Sequence, residues 1–287
     1  MDLNHKLPPN AVWRTFGNAG EPIHFYNANG FATGVYTPFL RLLSQKYRLS
    51  ALEMRAAWPN IGPPPRTKGW QIYADDLIAY LETQYKEPVI GLGHSMGATA
   101  TIMAADKRPD LFKALVLIEP AMVSKPIASL ARLLPKSVMN HTRLAKSTLS
   151  KPDRWSTRKD YVAYIRKFKG YQRFDDAAFS AMAEHGVIRM KGGDYTLAFP
   201  KLWEAHNYTC PPNVFALIQR IKLPCVAIRA NPSIFFTASW WEEWQVCSPD
   251  TVFKEDLNYG HLMPLENPRA CFELVEAGLT GIDISAA

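Results

Sequence analysis

The chain has 287 residues, of which 47% are hydrophobic, 12% aromatic and 21% charged, a composition that excludes disordered, collagen-like and coiled-coil classes. Its 33 Lys and Arg against 26 Asp and Glu leave a net charge of +7. The four cysteines, at positions 210, 225, 247 and 271, form no Cys-x-x-Cys pair, which argues against a disulfide scaffold or a zinc ribbon and fits a reducing compartment. Met1 to Trp13 holds Asp2 and Pro8-Pro9 but no apolar run of the secretory type, and nowhere do about 18 apolar residues run uninterrupted. The expectation is a soluble, cytoplasmic protein with no stable membrane insertion.

In chain order, short apolar runs alternate with segments of helical period, the rhythm of strand and helix around a mostly parallel sheet. The expected strands are Ala11–Phe16, Pro22–Asn27, Tyr47–Met54, Pro88–Gly93, Ala114–Glu119, Cys225–Ala230 and Thr251–Leu257. Helices are expected at Thr37–Gln45, Trp70–Thr83, Met96–Asp106 and Arg269–Gly278. In the second of these, Leu77, Ile78 and Leu81 recur at three and four residues, with Ile72, Tyr73 and Tyr80 widening the face.

After Glu119-Pro120 the rhythm stops for roughly a hundred residues, too long for an ordinary connection, so this segment must fold on its own. Residues 122–222 carry 18 Lys and Arg against 7 Asp and Glu, whereas the remainder carries 15 against 19. A basic insert therefore interrupts a mildly acidic core. Helical stretches at Ile127–Leu134, Arg158–Lys169, Asp175–His185 and Pro212–Ile221, with Gly192-Gly193 and Pro211-Pro212 as breaks, give the expected division. It consists of an α/β core at 1–121 and 223–287 with a mainly helical cap at 122–222.

Gly93-His94-Ser95-Met96-Gly97 is a Gly-x-Ser-x-Gly placed directly after an apolar run and before a helical one. Strand, sharp turn and helix are the setting in which such a serine presents its hydroxyl at the carboxyl end of a sheet, with small neighbours relieving the crowding. A dinucleotide-binding turn is the competing reading of these glycines, but Met96 occupies the third fingerprint position and the strand is central instead of first.

With this elbow the sequence resembles the α/β-hydrolase family over nearly all of the core. The resemblance implies a mostly parallel central sheet flanked by helices. It also implies that Asn29-Gly30-Phe31 is the family's oxyanion turn, with Asn29 where histidine is usual. The backbone N–H groups of Phe31 and Met96 would then form an oxyanion hole, each donor worth about 3–4 kcal/mol in the transition state. His261, in Tyr259-Gly260-His261-Leu262-Met263-Pro264, follows the last strand and precedes the last helix, where the family places its general base. His5, His24, His141, His185 and His206 have no comparable setting, and His94 inside the elbow packs or orients the turn. Asp256 and Glu266 read as a strand-end charge and the start of the last helix.

Many relatives take the triad acid after the strand that follows the cap, but the run from Val226 to Ile234 offers only Asn231 and Ser233. A minority take it from the preceding strand, which here ends in Leu117-Ile118-Glu119-Pro120, 24 residues after Ser95. A carboxylate at an apolar strand end needs a partner, and an imidazolium is an apt one. Glu119 is the expected acid, a cap arginine being its alternative partner. The order Ser95, Glu119, His261 matches nucleophile, acid and base.

Specificity is expected from the cap. Its aromatics Trp155, Tyr161, Tyr164, Phe168, Tyr171, Phe174, Phe179, Trp203 and Tyr208, with Phe31 and Trp58 from the core, either line a cavity or pack the cap itself. Asn29, Trp58 and His94 are the expected substrate-binding residues. The basic residues from Arg154 to Arg173 are either a solvated face or an attractor for an anionic substrate. No nucleic-acid module accompanies them, and no metal-binding cluster is present in the sequence. The expected activity is cleavage of a carboxylic ester-like bond in a small acyl substrate without a cofactor. Thioester, lactone and carbon–carbon bond hydrolysis, or a non-catalytic binding protein, remain open alternatives, as does the oligomeric state.

Overall fold

The structure, a computed structural model, describes residues 6–284 except 68, 232, 234 and 235. Its first half runs β1 (Trp13–Phe16), β2 (Pro22–Tyr26), α1 (Thr37–Leu43), β3 (Arg48–Leu52), α2 (Gln71–Gln84), β4 (Val89–His94), α3 (Met96–Lys107) and β5 (Phe112–Ile118). A long excursion follows: α4 (Lys125–Leu133), α5 (Lys136–Met139), α6 (Arg143–Ser150), β6 (Arg154–Trp155), α7 (Arg158–Ile165), α8 (Asp176–His185), β7 (Val187–Arg189), β8 (Tyr195–Leu197), α9 (Lys201–Tyr208) and α10 (Phe215–Ile218). The chain then returns through β9 (Cys225–Ala230), α11 (Ala238–Cys247), β10 (Val252–Asp256), α12 (Met263–Glu266) and α13 (Pro268–Leu279).

Seven strands form one sheet in the order β1-β3-β2-β4-β5-β9-β10, parallel throughout except for β1, which pairs antiparallel with β3. Alternation along the strands decides what each face buries. From β5, Ala114, Val116 and Ile118 enter the cluster with α1 and α13, whereas Leu115 and Leu117 enter the cluster with α2, α3 and the tryptophans of α11. Both faces are thus covered by helices, which is why β4 and β5 read as near-continuous apolar runs. The expected apolar stripe of α2 packs here, with Tyr73, Leu77, Tyr80 and Leu81 buried and Ile72 and Ile78 at its margin.

The excursion between β5 and β9 is not purely helical. β6, β8 and β7 form a small antiparallel sheet, and Gly192-Gly193 is the turn between two of its strands, closed by Met190 and Asp194. Two- and three-residue strands are too short to leave a period in the sequence. Gly193, at φ +97°, supplies the backbone that the turn requires. The expected helix at Pro212–Ile221 shrinks to α10, and Arg158–Lys169 shortens to α7 followed by a 3₁₀ turn at Lys169–Tyr171. Among the described residues no helix is long and apolar enough to cross a membrane, and none of the four cysteines forms a disulfide.

Leu92 lies on central β4 with its side chain fully buried. Leu92→Ala is expected to cost about 2–5 kcal/mol in chemical unfolding, the range for a core leucine whose cavity cannot fully collapse.

Candidate active site

Ser95 sits between the end of β4 and the start of α3, at φ +55°. That conformation costs energy in an L-residue, and close packing around it enforces the turn. A Cβ on Gly97 would lie 2.0 Å from the Tyr26 carbonyl oxygen, and one on Gly93 would lie 2.4 Å from Ala98 Cα. Both flanking positions of the motif therefore admit only glycine. Ser95 N–H bonds the Ile118 carbonyl at 2.9 Å, which ties the turn to β5.

From this turn a line of hydrogen bonds runs inward. Ser95 Oγ is 2.9 Å from His261 Nε2, and His261 Nδ1 is 3.0 Å from Glu119 Oε2. Because a carboxylate only accepts, Nδ1 carries the proton and Nε2 is left to accept from the serine hydroxyl. The other Glu119 oxygen accepts the Ala230 N–H at 2.7 Å, and its backbone N–H bonds Ile228. Glu119 is fully buried, stands one residue beyond β5 and adopts φ +49°. Its partner is thus the histidine and the end of β9, not an arginine of the inserted segment. Ser233 instead accepts the Phe236 N–H at 3.1 Å as a local turn cap, while Pro232 and Ile234 of the same run lie outside the described residues, as does His5.

His261 is held from behind. Its carbonyl accepts a hydrogen bond from His94 Nε2 at 2.8 Å, so His94 Nδ1 accepts from Tyr36 Oη–H at 2.9 Å. Tyr36 in turn accepts the Ala28 N–H at 3.4 Å. Burial keeps His94 neutral, its pKa lowered to about 3, with the neighbouring His261 adding to the effect. Glu266 accepts the Gly260 N–H at 2.7 Å and pairs with Arg173 at 3.1 Å, and Arg173 also reaches the Asn258 carbonyl. Tyr36, Glu266 and Arg173 carried no motif in the sequence; their contacts join positions from 6 to 93 residues apart, a separation that no local pattern records.

The site opens on a cavity of about 800 Å³, lined from the core by Phe31, Ser95, Met96 and His261 and from the inserted segment by Trp155, Tyr161, Tyr164, Phe168, Tyr171 and Tyr208 among others. Phe174, Phe179 and Trp203 are buried in the packing and do not line it. Neither Phe31 N–H nor Met96 N–H carries a hydrogen bond to a described residue, so both are free to donate into the cavity beside Ser95. Asn27 fixes the turn that bears Phe31, its amide donating to the Phe31 carbonyl at 2.6 Å while Thr33 donates back to Asn27 at 3.0 Å.

The three residues expected to bind substrate are placed differently from one another. Asn29 lines the cavity, but its amide is engaged by α9, donating to the Glu204 carbonyl at 3.1 Å and accepting from Asn207 at 2.8 Å. Trp58 does not reach the cavity: its indole donates to the Glu53 carbonyl at 2.7 Å, under the Arg55 guanidinium. Its aromatic character suggests a wall, but it packs in the core cluster with Met54, Tyr73 and Trp203 instead. His94 is sealed behind the elbow. Of the basic residues from Arg154 to Arg173, only Lys169 and Arg173 line the cavity, and the other cation there, Lys151, pairs with Glu204. Among the described residues no group of three or more His, Cys, Asp or Glu is arranged to hold a metal ion.

A strained serine bonded to an imidazole, itself bonded to a buried carboxylate, beside two unengaged N–H groups, is the constellation that can form an acyl-enzyme and hold an oxyanion. The sequence profile described as "Alpha/beta hydrolase family" matches residues 24–274, and the chain belongs to that family. Among its relatives is the "Abhydrolase domain-containing protein ACTT2" of Alternaria alternata, 21% identical over an alignment of 229 residues that covers 66% of this chain and 82% of the relative. Among solved structures, E-2-(acetamidomethylene)succinate hydrolase superposes with a TM-score of 0.77 at 19% identity, covering 94% of this chain and 95% of its own. The peroxisomal α/β-hydrolase Lpx1 of Saccharomyces cerevisiae follows with a TM-score of 0.75 at 16% identity, covering 94% and 81%.

Because folded His94 resists protonation until about pH 3 while an unfolded histidine titrates near 6.5, the unfolded state binds more protons between those values. The contribution of neutral His94 to stability is therefore complete above pH 6.5 and falls as the pH drops toward 3. His94→Gln should reduce the slope of unfolding free energy against pH by about 1.4 kcal/mol per unit around pH 5, read from denaturant titrations.

Proposed function

We propose that the protein is a serine hydrolase that cleaves a carboxylic ester bearing a bulky apolar group, through an acyl-enzyme and without a cofactor. The observation that carries this reading is the Ser95–His261–Glu119 line at the base of an aromatic cavity. His261 Nε2 takes the proton of Ser95 as Oγ attacks the carbonyl carbon, and Glu119 holds the ring in the tautomer that permits it. The Phe31 and Met96 N–H groups receive the oxyanion. The tetrahedral intermediate collapses as His261 returns the proton to the leaving alcohol, and water, activated by the same imidazole, then releases the acid. His94 acts as a positioning residue, holding the His261 backbone without touching substrate.

In this reading residues 1–121 and 223–287 are the core, 122–222 is the cap that shapes the substrate pocket, and the protein works in the cytoplasm on a small molecule. Pairing of Lys151 with Glu204 and of Arg173 with Glu266 favours a neutral acyl substrate over an anionic one. Apart from Lys169, which lines the cavity, the remaining basic residues of that run serve as a solvated face. Thioesters, lactones and carbon–carbon bonds use the same machinery and come next in a substrate screen.

Incubation with a small fluorophosphonate followed by peptide mass analysis should give one adduct per chain, on Ser95 and absent from Ser95→Ala. No adduct would bring the non-catalytic binding protein forward. For the acid, Glu119→Gln should lower kcat on a p-nitrophenyl ester by about 10³–10⁴-fold with little change in KM, as expected when the histidine loses its tautomer. Ser233→Ala should stay within about twofold of the unaltered protein; were it the damaging change, the assignment of Glu119 would fall.

A further inference from the structure

From Pro120 to Pro152 the chain contains no Asp or Glu, yet it carries Lys125, Arg132, Lys136, Arg143, Lys146 and Lys151. The same stretch forms α4, α5 and α6. Its apolar side chains are arranged in reverse of the usual order. In α4 the small residues Ala128 and Ala131 face the protein, whereas Ile127, Leu130 and Leu133 are 53%, 54% and 82% exposed. Val138 on α5 and Leu144 on α6 extend the exposed apolar surface. Burial of alanine contributes little, and the main chain before α4 is anchored to the loop ahead of α10: Val123 donates to the Pro212 carbonyl at 3.1 Å and accepts from the Asn213 amide at 2.8 Å.

Outward leucines and isoleucine rimmed by cations of one sign match a particular environment. A lone apolar patch fits many partners, but apolar side chains on a stretch of chain that bears cations and no acid fit an interface that is apolar below and anionic above. A nucleic acid would use the cations and leave the aliphatic side chains in water. The patch is also continuous with the candidate active site, since Leu144 both faces solvent and lines the cavity, as does Phe168 on the opposite rim, and Met122 and Val123 line it just before α4 begins.

We infer that the α4–α6 face docks on the surface of an anionic phospholipid bilayer, with Ile127, Leu130 and Leu133 entering the headgroup boundary. The exposed Lys125, Arg143 and Lys146 lie against the phosphates. The contact is peripheral: α4 lies in the plane of the interface, and among the described residues no helix is long and apolar enough to cross the bilayer. An apolar substrate dissolved in the lipid then meets the cavity mouth at Leu144 without crossing water. Docking itself requires no catalysis, so it is tested apart from the hydrolase reading.

The test is flotation of the whole protein with vesicles of phosphatidylcholine alone and of phosphatidylcholine mixed with phosphatidylglycerol, in low and high salt. The expected result is binding to the mixed vesicles, at least about tenfold weaker to the neutral ones and weakened again by salt. Leu133→Glu combined with Leu130→Gln, both at exposed positions, should abolish it while the circular dichroism spectrum and Tm stay unchanged. No binding to either vesicle, or binding that survives the double substitution, overturns the proposal. Sedimentation velocity reads the competing occupant: a concentration-dependent dimer that the double substitution dissolves would assign the face to a second copy of the chain and overturn the lipid.

Discussion

The buried carboxylate of Glu119 is the constraint on which the site depends. A fully buried anion is costly unless its oxygens are engaged, and this one is engaged on both sides, by the Ala230 N–H and by the His261 ring. Those two contacts join three separate pieces of chain: the end of β5, the end of β9 and the loop after β10. The geometry of the pair is set by the register of β5 and β9, in which Ile118 stands opposite Ile228, and by the left-handed backbone at Glu119, which turns its side chain toward the loop. The sheet acts as the ruler for the hydrogen-bond line.

The central strands and the elbow were legible because each rests on a short-range rule. Apolar runs bounded by turn residues mark strands buried on both faces, and Gly-His-Ser-Met-Gly marks a turn that only small residues can make. The pairing of Glu119 with His261 was legible for a different reason, Glu119 being the lone carboxylate in an apolar run where a minority of the family places an acid. The supporting shell was not. Tyr36 meets His94 across 58 residues and Asn207 meets Asn29 across 178, and no pattern within a window of sequence carries such pairings. Trp58 shows the opposite failure, since an aromatic side chain near a strand end has the same signature whether it lines a cavity or packs beneath it. The helix α11 was missed because Trp240, Trp241 and Trp244 obscure its polar face, and the small β6-β8-β7 sheet because its strands are shorter than one period.

The inserted segment has more than one role. Its aromatics divide between cavity wall and internal packing, with Trp155 meeting Tyr161 edge to face and Tyr164 at a tilt while all three line the cavity. Its cations divide likewise. Those facing the cavity are largely neutralised by partners, and those on α4 to α6 lie in a stretch of chain that contains no Asp or Glu. A net charge spread over the whole chain conceals this separation, which is why composition alone points to no partner.

Arg173 belongs to the inserted segment, yet it grips the loop that carries His261, through Glu266 on one side and the Asn258 carbonyl on the other. Glu266 passes that grip to Gly260, the residue next to the histidine. The inserted segment is therefore not an interchangeable cover laid over finished machinery. Grafting a different one from a relative would change the pocket and, in the same act, release the histidine's loop from one of its anchors. The cavity wall and the placement of His261 are thus coupled in this chain, because Arg173 both lines the cavity and anchors the histidine's loop.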